Sequence, residues 1–120
     1  MKDTVNTLWV SADEYAWAGL RNFSADLEGM REAVGGGYIE GIGGDGWTGY
    51  CDEEGKINGL PLNIRATRLA WFLGWPEDDV LCGPVVFLGP VDDEGEETDV
   101  TSIVKDAAHQ LGYLDWSRSN

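Results

Sequence analysis

The most apolar segment of this chain, Val80 to Leu88, is closed in by carboxylates on both sides. From Glu77 to Asp99 there are nine acidic residues and no Lys or Arg, six of them in the run Asp92-Asp93-Glu94-Gly95-Glu96-Glu97-Thr98-Asp99. The apolar stretch suits a central strand and the acidic run a solvated loop at its exit. Pro84 has no N–H to give a ladder, so a bulge or an edge position is expected near Gly83-Pro84.

The whole chain carries 22 acidic and 8 basic residues, a formal net charge of -14 on 120 residues. A field of that sign repels nucleic acid and anionic membrane and attracts basic protein surfaces. Phosphate contacts supply most nucleic-acid affinity and need clustered Lys and Arg, so direct DNA or RNA binding is excluded as an expectation. High net charge also keeps a small domain soluble without further purpose. Hydrophobic residues make up 42% of the chain, so it folds despite its charge. At this length one domain is expected, assigned to residues 1–112 with a tail at 113–120, and its oligomeric state is left open. No apolar run approaches the ~20 residues of a membrane span, and Met1-Lys2-Asp3-Thr4 lacks the core of a signal peptide. Cys51 and Cys82 have no metal-like spacing and lie in strand-like surroundings. They read as reduced, buried, small hydrophobes of a cytoplasmic protein, with a disulfide between them as the alternative.

Thr4–Ser11 is β-branched and aromatic and reads as a strand. Asp13–Phe23 is ambiguous. Ser11-Ala12-Asp13-Glu14 fits a capping box for a helix, whereas alternation of Tyr15 and Trp17 against Ala16, Ala18 and Leu20 suits a hairpin arm turning at Ala12-Asp13-Glu14. Ser24 is the expected N-cap of a first helix carrying Leu27, Met30 and Val34, ended by Gly35-Gly36-Gly37. Tyr38–Ile42 and Trp47–Cys51 are strands flanking a turn at Gly43-Gly44-Asp45-Gly46. Asn63 caps a second helix with Ile64, Thr67, Leu69, Ala70, Trp71 and Leu73 on its apolar side, stopped by Gly74 and Pro76. Asp99 is expected to cap a last helix with Val100, Ile103, Val104, Ala107, Ala108 and Leu111, closed by Gly112. The fold class is α+β: a small, mostly antiparallel sheet packed by two or three helices.

The segments Gly36-Gly37-Tyr38-Ile39-Glu40, Tyr50–Thr67 and Asp79–Pro90, with the acidic stretch ending Thr98-Asp99-Val100, together resemble a domain-of-unknown-function family, number 3846, found in phages and mobile elements, especially of actinobacteria. The resemblance covers roughly Ala25 to Val104. It implies two strands before the first helix, which tips Asp13–Phe23 toward a strand, and a small protein of a phage or mobile element in the host cytoplasm. It implies no catalytic residue.

Candidate sites are few. His109, the lone histidine, sits near the end of the last helix without a recognisable catalytic partner motif, and reads as structural or surface. The acidic run lacks the spacing of a calcium loop, and Gly41–Gly46 lacks the ending of a phosphate loop. No cofactor is called for, and no nucleophile–base pair or metal set is present, so no enzyme is expected. Lys56, Asn58, Asn63, Arg65 and Arg68 form the basic and amide cluster: either internal partners of Asp52, Glu53 and Glu54, or a pocket for an anion or nucleotide-like ligand. For protein contact the candidates are Asp92, Asp93, Glu94, Glu96 and Glu97, with Trp75 and Trp116 as exposed aromatic anchors. The expected function is a non-enzymatic protein that binds a host or defence protein, with DNA mimicry as its sharpest form and the small-molecule module as the alternative.

Overall fold

A computed structural model describes residues 3–114. Its order is β1 (Thr4–Val10), β2 (Ala18–Ser24), α1 (Leu27–Ala33), β3 (Ile39–Gly44), β4 (Trp47–Asp52), α2 (Ile64–Phe72), β5 (Val85–Leu88) and α3 (Ser102–Gln110). The strands form one five-stranded sheet in the order β2-β1-β5-β4-β3, antiparallel throughout. Two hairpins, β1–β2 and β3–β4, are therefore joined edge to edge by β5, which enters the centre of the sheet late in the chain. With three helices on this sheet the fold is α+β.

Period-two alternation sorts the strand residues onto two covered faces. Leu8, Val10, Trp47, Cys51, Val85 and Phe87 pack against Ala66, Leu69 and Ala70 of α2 and Val104, Ala107 and Ala108 of α3. Val5, Phe23, Val86 and Leu88 face the other way, onto Met30 and Ala33 of α1. All four residues of β5 are buried, which is why this strand reads as an unbroken apolar run. Burial of Phe87 alone is worth roughly 2 kcal/mol, and its ring meets that of Trp47 at 5.7 Å. Leu114 is buried in the first of these clusters and Tyr113 packs against it, so the core extends past the tail boundary drawn at Gly112.

Several local expectations give way to better hydrogen bonds. The Val80–Leu88 strand begins only at Val85, because Pro84 precedes the ladder instead of bulging it; Leu62 and Cys82 make a lone bridge upstream. The second arm of the first hairpin is Ala18–Ser24, and its turn is a long loop through Ser11–Trp17, not the three residues Ala12-Asp13-Glu14. Asp26, not Ser24, caps α1: its side chain accepts the Gly29 N–H at 2.8 Å, while the Ser24 hydroxyl donates to Asp26. Leu27 heads α1 but stays 60% exposed. Asp99 does not cap α3. Its carboxylate accepts the Asn6 N–H at 2.9 Å, Val100 N–H donates to the Asn6 carbonyl, and Thr101 is the cap residue. Asn63 does cap α2, accepting the Ala66 N–H at 3.0 Å. The β3–β4 turn closes at Asp45-Gly46, with Gly44 paired to Trp47 and Gly46 at φ 79°.

Candidate functional site

The five residues of the basic and amide cluster do not converge. Asn63 is fully buried; besides capping α2 it donates through Nδ2 to the carbonyls of Val10, at 3.0 Å, and Gly83, at 2.9 Å. Arg65 is a clamp on backbone. Its Nη1 donates to Ala16 O at 3.0 Å and its Nη2 to Ser11 O at 3.1 Å and Asp13 O at 2.8 Å, pinning the long β1–β2 loop to α2. Lys56 pairs with Asp79, not with the nearer acids Asp52, Glu53 or Glu54. Asn58 is exposed on the preceding turn. Arg68 is exposed in a shallow depression with Glu14, Tyr15, Ile64, Gly112 and Tyr113.

Lys56 and Asp79 line a cleft of about 200 Å³ between the end of the β3–β4 hairpin and the segment before β5. Glu40, Cys51, Trp75 and Cys82 also contribute to its wall. The ammonium of Lys56, hydrogen-bonded to Asp79, holds that carboxyl below the ordinary carboxylate range, and the same bond raises the lysine. Both cysteines are free thiols. Burial, with Glu40 second, pushes the Cys51 thiol up to about 12, the opposite of what a nucleophile needs. Among the described residues no group of three or more His, Cys, Asp or Glu side chains is placed to hold a metal ion. His109, at the end of α3, sets Nδ1 3.1 Å from the Leu114 carbonyl oxygen.

The acidic run is only partly solvated. Asp92 organises it: its Oδ1 accepts the N–H groups of Glu94 and Glu96, both at 2.9 Å, and its own N–H donates to the Glu96 carbonyl. Asp93 and Glu94 point their charge outward as expected. Glu97 turns inward, accepting the Tyr50 hydroxyl at 2.6 Å, and its other oxygen is buried with no hydrogen-bond partner among the described residues. Burial first, and then the hydrogen bond to Glu97, raise the Tyr50 phenol well above the ordinary tyrosine range.

Of the aromatic anchors, Trp75 is half-buried and packs against the core, and Trp116 lies outside the described residues. Exposed aromatics lie elsewhere: Tyr15 and Trp17 on the clamped β1–β2 loop, at 91% and 53% exposure, with Tyr38 before β3 and Phe72 at the end of α2. Alternation had placed Tyr15 and Trp17 on one side of the chain. What it could not show is that both precede β2, on the loop that Arg65 pins to α2.

A family described as a domain of unknown function, DUF3846, matches residues 9–112. No curated protein matches the sequence. Among solved structures, the chain is similar to one described as the crystal structure of small RNA methyltransferase HEN1, with a TM-score of 0.58, 15% identity and 87% of this chain covered. The match spans 16% of that larger chain, and at this identity the likeness is one of fold alone. No helix among the described residues is long and apolar enough to cross a membrane.

Proposed function

The chain belongs to the DUF3846 family, a domain of unknown function, and from that footing we propose that it is a non-enzymatic, acidic protein of a phage or mobile element that binds a host or defence protein through a basic surface of that partner. The observation that carries this reading is where the cations go. Arg65 is held by backbone carbonyls, Arg21 by the rings of Trp9 and Phe23, Lys56 by Asp79 and Arg31 by Glu28. All four have partners within the fold, and the excess of 22 acidic over 8 basic residues stands as a net charge of -14 however they pair. Such a field steers basic surfaces and weakens with salt. The anion-binding alternative is left with Arg68 and exposed Asn58, since Lys56, Asn63 and Arg65 serve internal partners.

The test is capture from host lysate at low and high salt, with a neutralised variant beside the parent. Asp92 and Glu97 carry hydrogen bonds of the fold, so the clean variant is Asp93→Asn, Glu94→Gln and Glu96→Gln. The reading expects basic proteins that are captured at low salt, released by high salt and lost on the variant. Capture that ignores both salt and neutralisation removes the electrostatic reading. A melting temperature raised by a nucleotide, and abolished by Arg68→Ala, would favour the alternative.

A further inference from the structure

We propose that Trp17 is the docking anchor of this protein and that its open indole face receives an arginine side chain of the basic partner; the inference rests on the reading above and names its contact point. A half-exposed tryptophan alone is unremarkable on a protein surface. Here three separate features hold the ring in place. The loop that carries it is fixed from behind by the three carbonyl bonds of Arg65. The same loop is tightened from within, where Asp13 accepts the Tyr15 N–H at 3.0 Å and Ser11 accepts that of Asp13 at 3.2 Å. The ring then lies flat over β2 because residue 19 is glycine: a Cβ there would stand 2.6 Å from Cζ2 of the indole.

The ligand class follows from what the ring continues. Along the β1–β2 hairpin the Arg21 guanidinium stands 4.8 Å from the centroid of Phe23 and 5.4 Å from that of Trp9. Trp9, whose Nε1 is tied to Ala33 O at 2.8 Å, stacks on Trp17 at 6.2 Å and 24°. Cation and rings thus make one row, and Trp17 ends it with more than half its surface in solvent. No cation among the described residues stands over Trp17. An indole face is the strongest side-chain acceptor of a guanidinium, and Arg is the cation most often found there. Asp13 and Glu14 are exposed on the same loop but are faced by Arg65 and Arg68, so what draws a guanidinium here is the ring face within the acidic field of the whole chain.

The experiment uses a tetra-arginine peptide titrated into the full chain at low salt, followed by the indole N–H signals in NMR, with melting temperatures recorded for each variant. Binding by the parent should shift the Trp17 indole signal. Trp17→Ala should weaken affinity about threefold to fivefold, the worth of one exposed cation–π contact, and Trp17→Tyr should restore part of it. Gly19→Ala should weaken it too, by displacing the ring, without lowering the melting temperature. A parent that binds no peptide overturns both the reading above and this inference. A parent that binds while Trp17→Ala or Gly19→Ala binds equally well leaves the reading standing and overturns the anchor.

Discussion

Substituting Asn63 separates a ligand-binding amide from a structural one. Its side chain makes three hydrogen bonds in a site closed to solvent: the Ala66 N–H of the α2 cap and the carbonyls of Val10 and Gly83. Asn63→Ala removes the cap, at about 1 kcal/mol, and takes the donor from two buried carbonyls, at about 1 kcal/mol each. The expected loss is about 3 kcal/mol, or roughly 12 °C in melting temperature for a domain of this size. Asn63→Asp sharpens the test. Aspartate is an excellent N-cap and would be neutral if capping were the whole role. Here it would aim a carboxylate oxygen at two carbonyl oxygens that now stand 3.0 and 2.9 Å from Nδ2. At neutral pH the aspartate variant should therefore lose at least as much stability as the alanine one. It should gain on the alanine variant as pH falls, because the protonated carboxyl can donate one bond and the fold favours that form. Urea unfolding followed by tryptophan fluorescence measures both. An alanine variant within about 1 kcal/mol of the parent, or an aspartate variant more stable than it, refutes the reasoning.

Three further outcomes are expected. Tyr50 ionises above its ordinary 10.0, so its protonated form contributes stability that is whole below that pH and is lost as pH rises beyond it; Tyr50→Phe should cost about 1–3 kcal/mol by leaving the Glu97 carboxylate without its donor, and should flatten the alkaline limb of the stability curve. Disulfide-exchange reagents at mild alkaline pH should label half-buried Cys82 first and reach Cys51 only on unfolding, since burial holds that thiol protonated to about 12; equal labelling rates in the folded protein would contradict this. Added monovalent salt should raise the melting temperature from its low-salt value, because screening self-repulsion among excess carboxylates outweighs weakening of the exposed Arg31–Glu28 and Lys56–Asp79 pairs; a falling melting temperature would show that those pairs dominate.

Local chemistry was legible where both partners lie close in sequence. Asn63 caps α2 as its type and position suggest, and the apolar run at Val85–Leu88 does become the central strand. Most of what failed was decided by a distant partner. One local choice was missed as well: Ser24 and Asp26 are both good caps by residue type, and the strand β2 runs on to Ser24, which leaves Asp26 to accept the Gly29 N–H. Asp99 looks like a helix cap until β1 offers the Asn6 N–H 93 residues away. Arg65 reads as a partner of Asp52, Glu53 and Glu54 or as part of an anion pocket because its real partners are main-chain carbonyls of residues 11, 13 and 16, which carry no charge for a pattern to reveal. Glu97 is one carboxylate among six in its run, and only the placement of Tyr50 on β4 singles it out.

These long-range choices bear on the mimicry idea raised by the acidic run. A surface that imitates duplex phosphates needs carboxylates in rows on a rigid support, at a spacing near one charge per about 1.7 Å of axis. The run has more support than its glycine suggests, since Asp92 binds two of the following amide groups and closes the loop on itself. But Glu97 is withdrawn to Tyr50, and the carboxylates of Asp92 and Asp99 are turned to amide groups of the fold, so Asp93 and Glu94 are the exposed ones of the run without such bonds among the described residues, with Glu96 half-exposed. Carboxylates gathered on one closed loop make a patch and not a row. On the proposed reading, the charge of this protein acts as a diffuse field toward a basic partner. Specificity is then left to a fixed, oriented group, and the clamped aromatic loop at Tyr15 and Trp17 has that character.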